Sequence, residues 1–385
     1  MTARGFYTLL FGALMLFTSL SVGSAGAFVP GCAALLAVAL SLASVLFARF
    51  TCRISQRIEG SQAVRGGACV YALSVRMISP LPVAPLTLEI MLPSGRKSEF
   101  LLPAKMIGTT ESENEFSCPH VGVFPVGVTR VTFSDSFGLF CLRKDAPQQS
   151  AAVTVLPNPR EVSPVRYSPG EGETTAAQRA QADRTTPADT RAWQEGDELK
   201  RVHWKLSMRR QQLMVHTYET PQRPDALILL DCAAPECTEK ARAGVIDALA
   251  ETCAGVLKSL LDSRRIARLP LSGRTQRELS GQAPEALDAM LHALAGEPFD
   301  SAQDFTRVLM LASRRMRRTG STVILTSHLT PAIADAVTAL CRMGPHTRFV
   351  LVTAQGMTDR QEKLLHLLTA SGVETEHVPA KEGQP

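Results

Sequence analysis

Two stretches near the start of the chain, residues 6–22 and 28–48, carry no charged side chain at all. At about 17 and 21 residues, each is long enough to cross a hydrocarbon core as a helix rising about 1.5 Å per residue. A helix also satisfies its own backbone hydrogen bonds there. Only Gly23, Ser24, Ala25, Gly26 and Ala27 separate the two, small residues suited to a tight turn. The pattern therefore predicts a transmembrane helical hairpin over residues 1–52. Arg4 precedes the first span, Arg49, Arg53, Arg57 and Arg65 follow the second, and the turn carries no cation. By the positive-inside rule both ends stay in the cytoplasm. The expectation is a multi-pass protein of the inner (plasma) membrane with its soluble domains in the cytoplasm. Arg4, the first apolar run and Ala25, Gly26 and Ala27 also fit a cleavable signal peptide. The basic residues after the second span hold the rest of the chain inside on that reading too.

A length of 385 residues exceeds one ordinary core and implies two or three domains. The net charge of +5 lacks the dense basic footprint of a dedicated nucleic-acid protein, so no such partner is expected. Nine cysteines lie scattered without a C-x-x-C pair, which fits reduced thiols rather than a zinc site or a disulfide framework.

From residue 53 to 159 the chain turns to short β-rich runs. Residues 68–78, 86–92, 98–102, 115–119, 127–135 and 151–156 read as strands, punctuated by Pro80, Pro82, Pro85, Pro93 and Gly95. This spacing predicts a β-sandwich-like middle domain. The aromatics after Asp135, namely Phe137 and Phe140, are expected to plug its end. Residues 160–190 are polar and rich in Pro, Gly, Ser, Thr and Ala, the composition of a linker.

The densest chemistry follows, between Arg191 and Arg210. Both tryptophans of the protein, Trp193 and Trp204, stand here among six cations, three carboxylates and His203. A turn at Gly196 with Asp197 as cap would start a helix over 198–210. Lys200, His203 or Trp204, and Ser207 then share one face, with Arg201, Lys205 and Arg209 on an adjacent stripe. Residues 212–219 alternate as a strand. Two readings stand. The stripe binds an anion or an acidic partner surface, or Arg191 and Arg201 pair with Glu195, Asp197 and Glu219 while Trp204 is a buried anchor. No nucleophile elbow surrounds Ser207.

This segment resembles the signature of domain-of-unknown-function family 58, a bacterial membrane-protein family, in Arg191, Gly196, Asp197, Trp204, Lys205, Ser207 and Arg209. Trp193 stands for the usual tyrosine, Lys200 for arginine and Met208 for alanine. Asp135, Phe137, Gly138, Leu139 and Phe140 are similar to a second element of that family, with Ser136 in place of proline. The resemblance extends over most of the chain, hairpin and β region included. It implies a membrane protein with a von Willebrand factor A-like C-terminal domain. It also implies a MoxR-type AAA+ ATPase as partner, alongside other von Willebrand factor A proteins.

Beyond residue 225 strands and helices alternate. Strands are read at 226–231, 265–271, 322–326 and 348–353, and helices at 238–263, 284–295, 304–318, 331–342 and 359–370. This order predicts an α/β domain with a Rossmann-type parallel sheet over 191–385. Ligands of such sheets gather at the carboxyl ends of the strands. The resemblance implies a divalent-metal edge there. Asp231 survives from it, but Cys232, Ala233 and Ala234 replace its serine hydroxyls, and Thr326, Ser327 and His328 bring no second carboxylate. A hard cation wants more oxygen than that, so no metal or cofactor is expected, and Asp231 is read as a helix cap or the acceptor of a signature cation. The basic cluster at Arg314, Arg315, Arg317 and Arg318 reads as a solvated helix end or a lipid contact.

The expectation is a multi-domain, membrane-anchored, non-enzymatic assembly or adaptor protein. Its docking surface is formed by Arg191, Gly196, Asp197, Lys200, His203, Trp204, Lys205, Ser207 and Arg209. The ATP chemistry belongs to the partner, since no Walker A sequence is present. The alternative is an enzyme or receptor for an anionic cell-envelope ligand, acting through Asp197 and His203.

Overall fold

The computed structural model describes residues 1–23, 25–79, 83–93, 95–103, 107–146, 151–167, 189–194, 202–217, 225–273, 276–314, 316 and 319–380. The chain divides into two compact units after Asn158. The first opens with two apolar helices, α1 (Ala3–Val22) and α2 (Ala25–Thr51). Thr2 caps α1, and Gly23 ends it in the left-handed region at φ 69°, which a residue without Cβ adopts freely. The two helices run antiparallel and close: Gly12 faces Ala34 and Leu35, and Gly31 faces Leu16. Glycine at such positions lets helix backbones approach. By this register Ala3 stands level with the region of Ser44. The last turns of α2 therefore run past α1, and Val45, Ala48 and Cys52 are buried in the core of the following β domain. The helix is longer than the expected 28–48 because protein, not lipid, receives its end. An apolar sequence reads the same in either surrounding.

That domain comprises β1 (Arg53–Glu59), β2 (Gln62–Val64), β3 (Ala68–Ile78), β4 (Leu86–Met91), β5 (Lys97–Leu102), β6 (Ile107–Ser117), β7 (Gly122–Ser134), β8 (Cys141–Asp145) and β9 (Ala151–Leu156). One sheet has the order β1-β3-β6, the other β2-β9-β7-β4-β5 with β8 also on β7. All pairs are antiparallel except β2 with β9. Tyr71, Leu73, Val75 and Met77 alternate inward from β3 and share one core with Leu88, Ile90, Val131 and Phe133 of the other sheet. β1, β2 and β8 were not anticipated. β1 and β8 alternate exposed and half-buried residues, so neither carries a clean apolar face.

Between β7 and β8 the Asp135 carboxylate accepts from the backbone N–H of Phe137 at 3.0 Å and of Phe140 at 2.7 Å. Burial raises its pKa. The nearby Ser41 hydroxyl and hydrogen bonding from the backbone of Phe140, Leu139 and Phe137 outweigh burial and hold the group below the usual carboxylate range. The turn is a socket for the hairpin. Thr2 donates from Oγ1 to the Gly138 carbonyl at 2.7 Å and from its N–H to the Leu139 carbonyl at 2.9 Å. A Cβ on Gly5 would collide with that same Leu139 oxygen. Phe140 is buried as expected, with Leu139 beside it, but Phe137 is 68% exposed and plugs nothing.

The second unit contains β10 (Asp189–Ala192), α3 (Trp204–Arg210), β11 (Met214–Thr217), β12 (Asp225–Leu230), α4 (Glu239–Asp262), β13 (Ala267–Ser272), β14 (Gln276–Gly281), α5 (Ala286–Ala295), α6 (Phe305–Ser313), β15 (Thr319–Thr326), α7 (Pro331–Arg342), β16 (His346–Thr353), α8 (Asp359–Ala370) and β17 (Glu374–Pro379). Its six-stranded sheet has the order β14-β13-β12-β15-β16-β17, parallel throughout except for β14. Leu227, Leu229, Ile324, Phe349 and Leu351 point into one core with α6, α7 and α8. The helix α4 packs on β12, β13, β15 and β16 outside that core, and so covers the other face. The strands β14 and β17 were not anticipated. They are the two edges, and half-exposed edge strands carry polar sequences. The expected helix over 304–318 stops at Ser313, and β15 begins at Thr319. Of the basic cluster, Arg315, Arg317 and Arg318 lie outside the described residues.

Part of the expected linker is packed. Arg160 donates its N–H to the Glu251 carbonyl, and Arg348 donates from Nη1 to the Ser163 carbonyl at 2.8 Å. The Arg265 guanidinium stands 4.5 Å from the centre of the Tyr167 ring. A Cβ at Gly255 of α4 would collide with the Arg160 carbonyl, so this glycine admits the strap. Residues 168–188 lie outside the described residues.

Candidate functional site

The signature segment folds as a strand, a short helix and a returning strand. Arg191 of β10 pairs with Val215 of β11, and Val202 makes an isolated bridge to the same Val215. His203 donates its N–H to the Met214 carbonyl at 2.8 Å, and Trp193 donates its N–H to the Leu213 carbonyl at 2.8 Å. Ser207, buried, is the knot. Its Oγ donates to the His203 carbonyl at 3.0 Å and accepts from the Met214 N–H at 2.9 Å. The helix is thereby tied to the strand that follows it. His203 caps α3, its Nδ1 accepting from the Leu206 N–H at 3.2 Å. The cap is therefore His203 and not Asp197, and the helix begins at Trp204 rather than 198.

These inward bonds fix what the helix turns outward. Trp204 is 61% exposed and Met208 80% exposed, four residues apart on one stripe. Exposed Lys205 and Arg209 form the neighbouring stripe. The buried-anchor reading of Trp204 is thus corrected. Val202, Met214 and Val215 fill the small core instead. An indole and a thioether beside two cations suit an acidic partner segment with an apolar anchor. Gly196, Asp197 and Lys200 lie outside the described residues, as do Glu195 and Arg201. In the sequence Met208 stands out only as a departure from the family pattern. Its spacing from Trp204 was the available signal.

A second cluster lies at the carboxyl edge of the sheet. Leu230 of β12 pairs with Leu325 of β15, so the loops leaving these strands start side by side. Asp231 is buried between them. Its Oδ2 accepts from Thr326 Oγ1 at 2.7 Å and from His328 Nδ1 at 3.0 Å, and its Oδ1 accepts from the Ala233 N–H at 3.0 Å. The hydrogen bond to Asp231 raises the His328 pKa. Burial opposes it, and the charges of Asp231 and Glu236 and the Ala234 backbone add to the rise. Asp231 therefore caps no helix and takes no signature cation among the described residues. Its partner comes from the neighbouring loop. Beside it a cleft of about 270 Å³ is lined by Cys237, Thr238, Ser327, Thr353 and Gln361. Among the described residues no three His, Cys, Asp or Glu side chains gather as metal ligands.

Residues 189–377 match the family described as Protein of unknown function DUF58. The DUF58 match opens on the first residue of β10 and closes inside β17. It takes in the signature module and the α/β sheet, and it is narrower than the resemblance over most of the chain expected from the sequence. No curated protein matches. Among solved structures, the CARDB domain of the PF1109 protein from Pyrococcus furiosus is similar over 28% of this chain and 90% of its own, at 9% identity and a TM-score of 0.19. Cwp6 from Clostridium difficile is similar over 84% of this chain and 49% of its own, at 12% identity and a TM-score of 0.20. A cycloisomaltooligosaccharide glucanotransferase of Paenibacillus sp. is similar over 84% and 52%, at 10% identity and a TM-score of 0.17. Scores this low carry no argument about fold or function.

Proposed function

We propose that this chain is a membrane-anchored, non-enzymatic assembly or adaptor protein that docks a MoxR-type AAA+ ATPase through the outer face of α3. The observation that carries the docking reading is the division of labour in the signature segment. Ser207 and His203 are bonded inward, while Trp204, Met208, Lys205 and Arg209 are turned out. A solvated helix has no use for an exposed tryptophan and methionine on one stripe, whereas a recognition helix does. The ATPase as partner rests on the family resemblance. A von Willebrand factor A-type domain is the reading supported by the strand order of the sheet and its antiparallel β14 edge. The hairpin is read as spanning the plasma membrane, with its basic flanks and the soluble domains in the cytoplasm.

The test is a crosslinking pull-down from native membranes under ATP-trapping conditions, comparing wild type with Trp204→Ala and Met208→Ala. Recovery of an AAA+ ATPase with wild type and its loss from folded variants is the expected result. A well-folded wild type that captures no ATPase sinks the partner. An ATPase retained equally by both variants moves the docking surface away from α3.

A further inference from the structure

The foot of the helical hairpin concentrates features that neither the docking reading nor the core packing uses. By the α1–α2 register, the apolar slab formed by the paired helices ends near Arg4 and Ser44, because the rest of α2 enters the sandwich core. About 20 paired residues at about 1.5 Å each give about 30 Å, the thickness of a hydrocarbon core. Around that boundary stand cations and outward aromatic rings. The Arg4 guanidinium lies beside Gly138 of the Asp135 turn, and the next residue of that turn before it, Phe137, is 68% exposed. On the other helix Arg49 donates from Nη1 to the Arg143 carbonyl at 3.2 Å, Lys144 donates from Nζ back to the Arg49 carbonyl, and Phe50 is 79% exposed. Among the described residues none of Arg4, Arg49 and Arg143 meets a carboxylate. The first acidic residue of the chain is Glu59.

We propose that this foot is a seat for anionic phospholipid headgroups, with Arg4, Arg49 and Arg143 on the phosphates and Phe137 and Phe50 in the interfacial layer. The inference rests on the membrane-spanning reading of the hairpin. What it adds is that the β domain, clamped to the hairpin by Thr2 and by the end of α2, presents its own turn to the bilayer and selects the lipid it touches. Guanidinium groups match phosphate geometry, and phenyl rings at the headgroup level anchor interfacial elements. Each arginine near an anionic surface favours it by about fivefold.

The experiment is native mass spectrometry of the full chain released from micelles holding equal phosphatidylglycerol and phosphatidylcholine. Wild type is expected to retain phosphatidylglycerol preferentially. The preference should fall about fivefold for each arginine removed in Arg4→Gln and Arg143→Gln, at unchanged melting temperature, and survive in Arg49→Lys. Equal retention of the two lipids, or an undiminished preference in the glutamine variants, overturns the seat. Alkaline carbonate extraction of cell membranes separates the two ideas. Release of the wild-type chain sinks the spanning reading itself, whereas a chain that stays in the pellet but shows no lipid preference sinks only the seat.

Discussion

The sheet edge and the signature helix both place buried polar groups where a strand meets a helix, yet they use them in opposite ways. At the sheet edge Asp231, Thr326 and His328 close on one another, and the cluster is complete in itself. In the signature segment Ser207 and His203 are equally occupied, but their bonds serve to turn Trp204 and Met208 outward. The two carry similar chemistry in sequence. The difference is whether the bonded groups leave anything exposed that water would not choose.

The largest effect that can break this comparison is at Asp231. Asp231→Ala leaves the Thr326 hydroxyl, the Ala233 N–H and the half-buried His328 imidazole without their shared acceptor, and at about 1–3 kcal/mol for each orphaned donor the loss is about 3–5 kcal/mol. Denaturant unfolding followed by circular dichroism should reveal it. A wild-type-like midpoint would mean the cluster braces nothing. Ser207→Ala should cost less, about 1–3 kcal/mol, because the Met214 N–H loses its acceptor. Trp193 and Trp204 both lie in this module, so tryptophan fluorescence should report its loosening while the sheet stays folded. If the two signals move together, the module and the sheet are one cooperative unit.

His328 supplies a pH test. Its folded pKa is raised above 6.5, so the stability it contributes is fully present below 6.5 and is lost as pH climbs through the raised value. Melting temperatures measured across that window should decline in wild type and decline less in His328→Gln. The smallest effect is at the exposed stripe. Trp204→Ala should alter stability by no more than about 0.5 kcal/mol while abolishing partner capture. A large loss of stability there would erase the distinction between the two regions.

Much of the architecture was legible because periodicity survives where elements are buried. The runs at Ala68–Ile78, Ala151–Leu156, Pro331–Arg342 and Asp359–Ala370 fall where the apolar pattern put them. The edges β14 and β17 were illegible for the converse reason, since half-exposed strands lose the pattern. The candidate site was legible in composition but not in orientation. The chain announces Trp204, yet only the bond between Ser207 and Met214 decides that it faces outward. The pairing of Asp231 with His328 spans 97 positions and follows from strand order, which no local pattern contains.

The bonds from Thr2 to Gly138 and Leu139 also set a timetable. They join groups 136 and 137 positions apart, and translation proceeds at about 5–20 residues per second. The first helix therefore leaves the ribosome roughly 7–27 s before the turn that receives it has been made. The hairpin must survive that interval undocked, and of the elements of this unit only β8 and β9 are made after the turn that receives it.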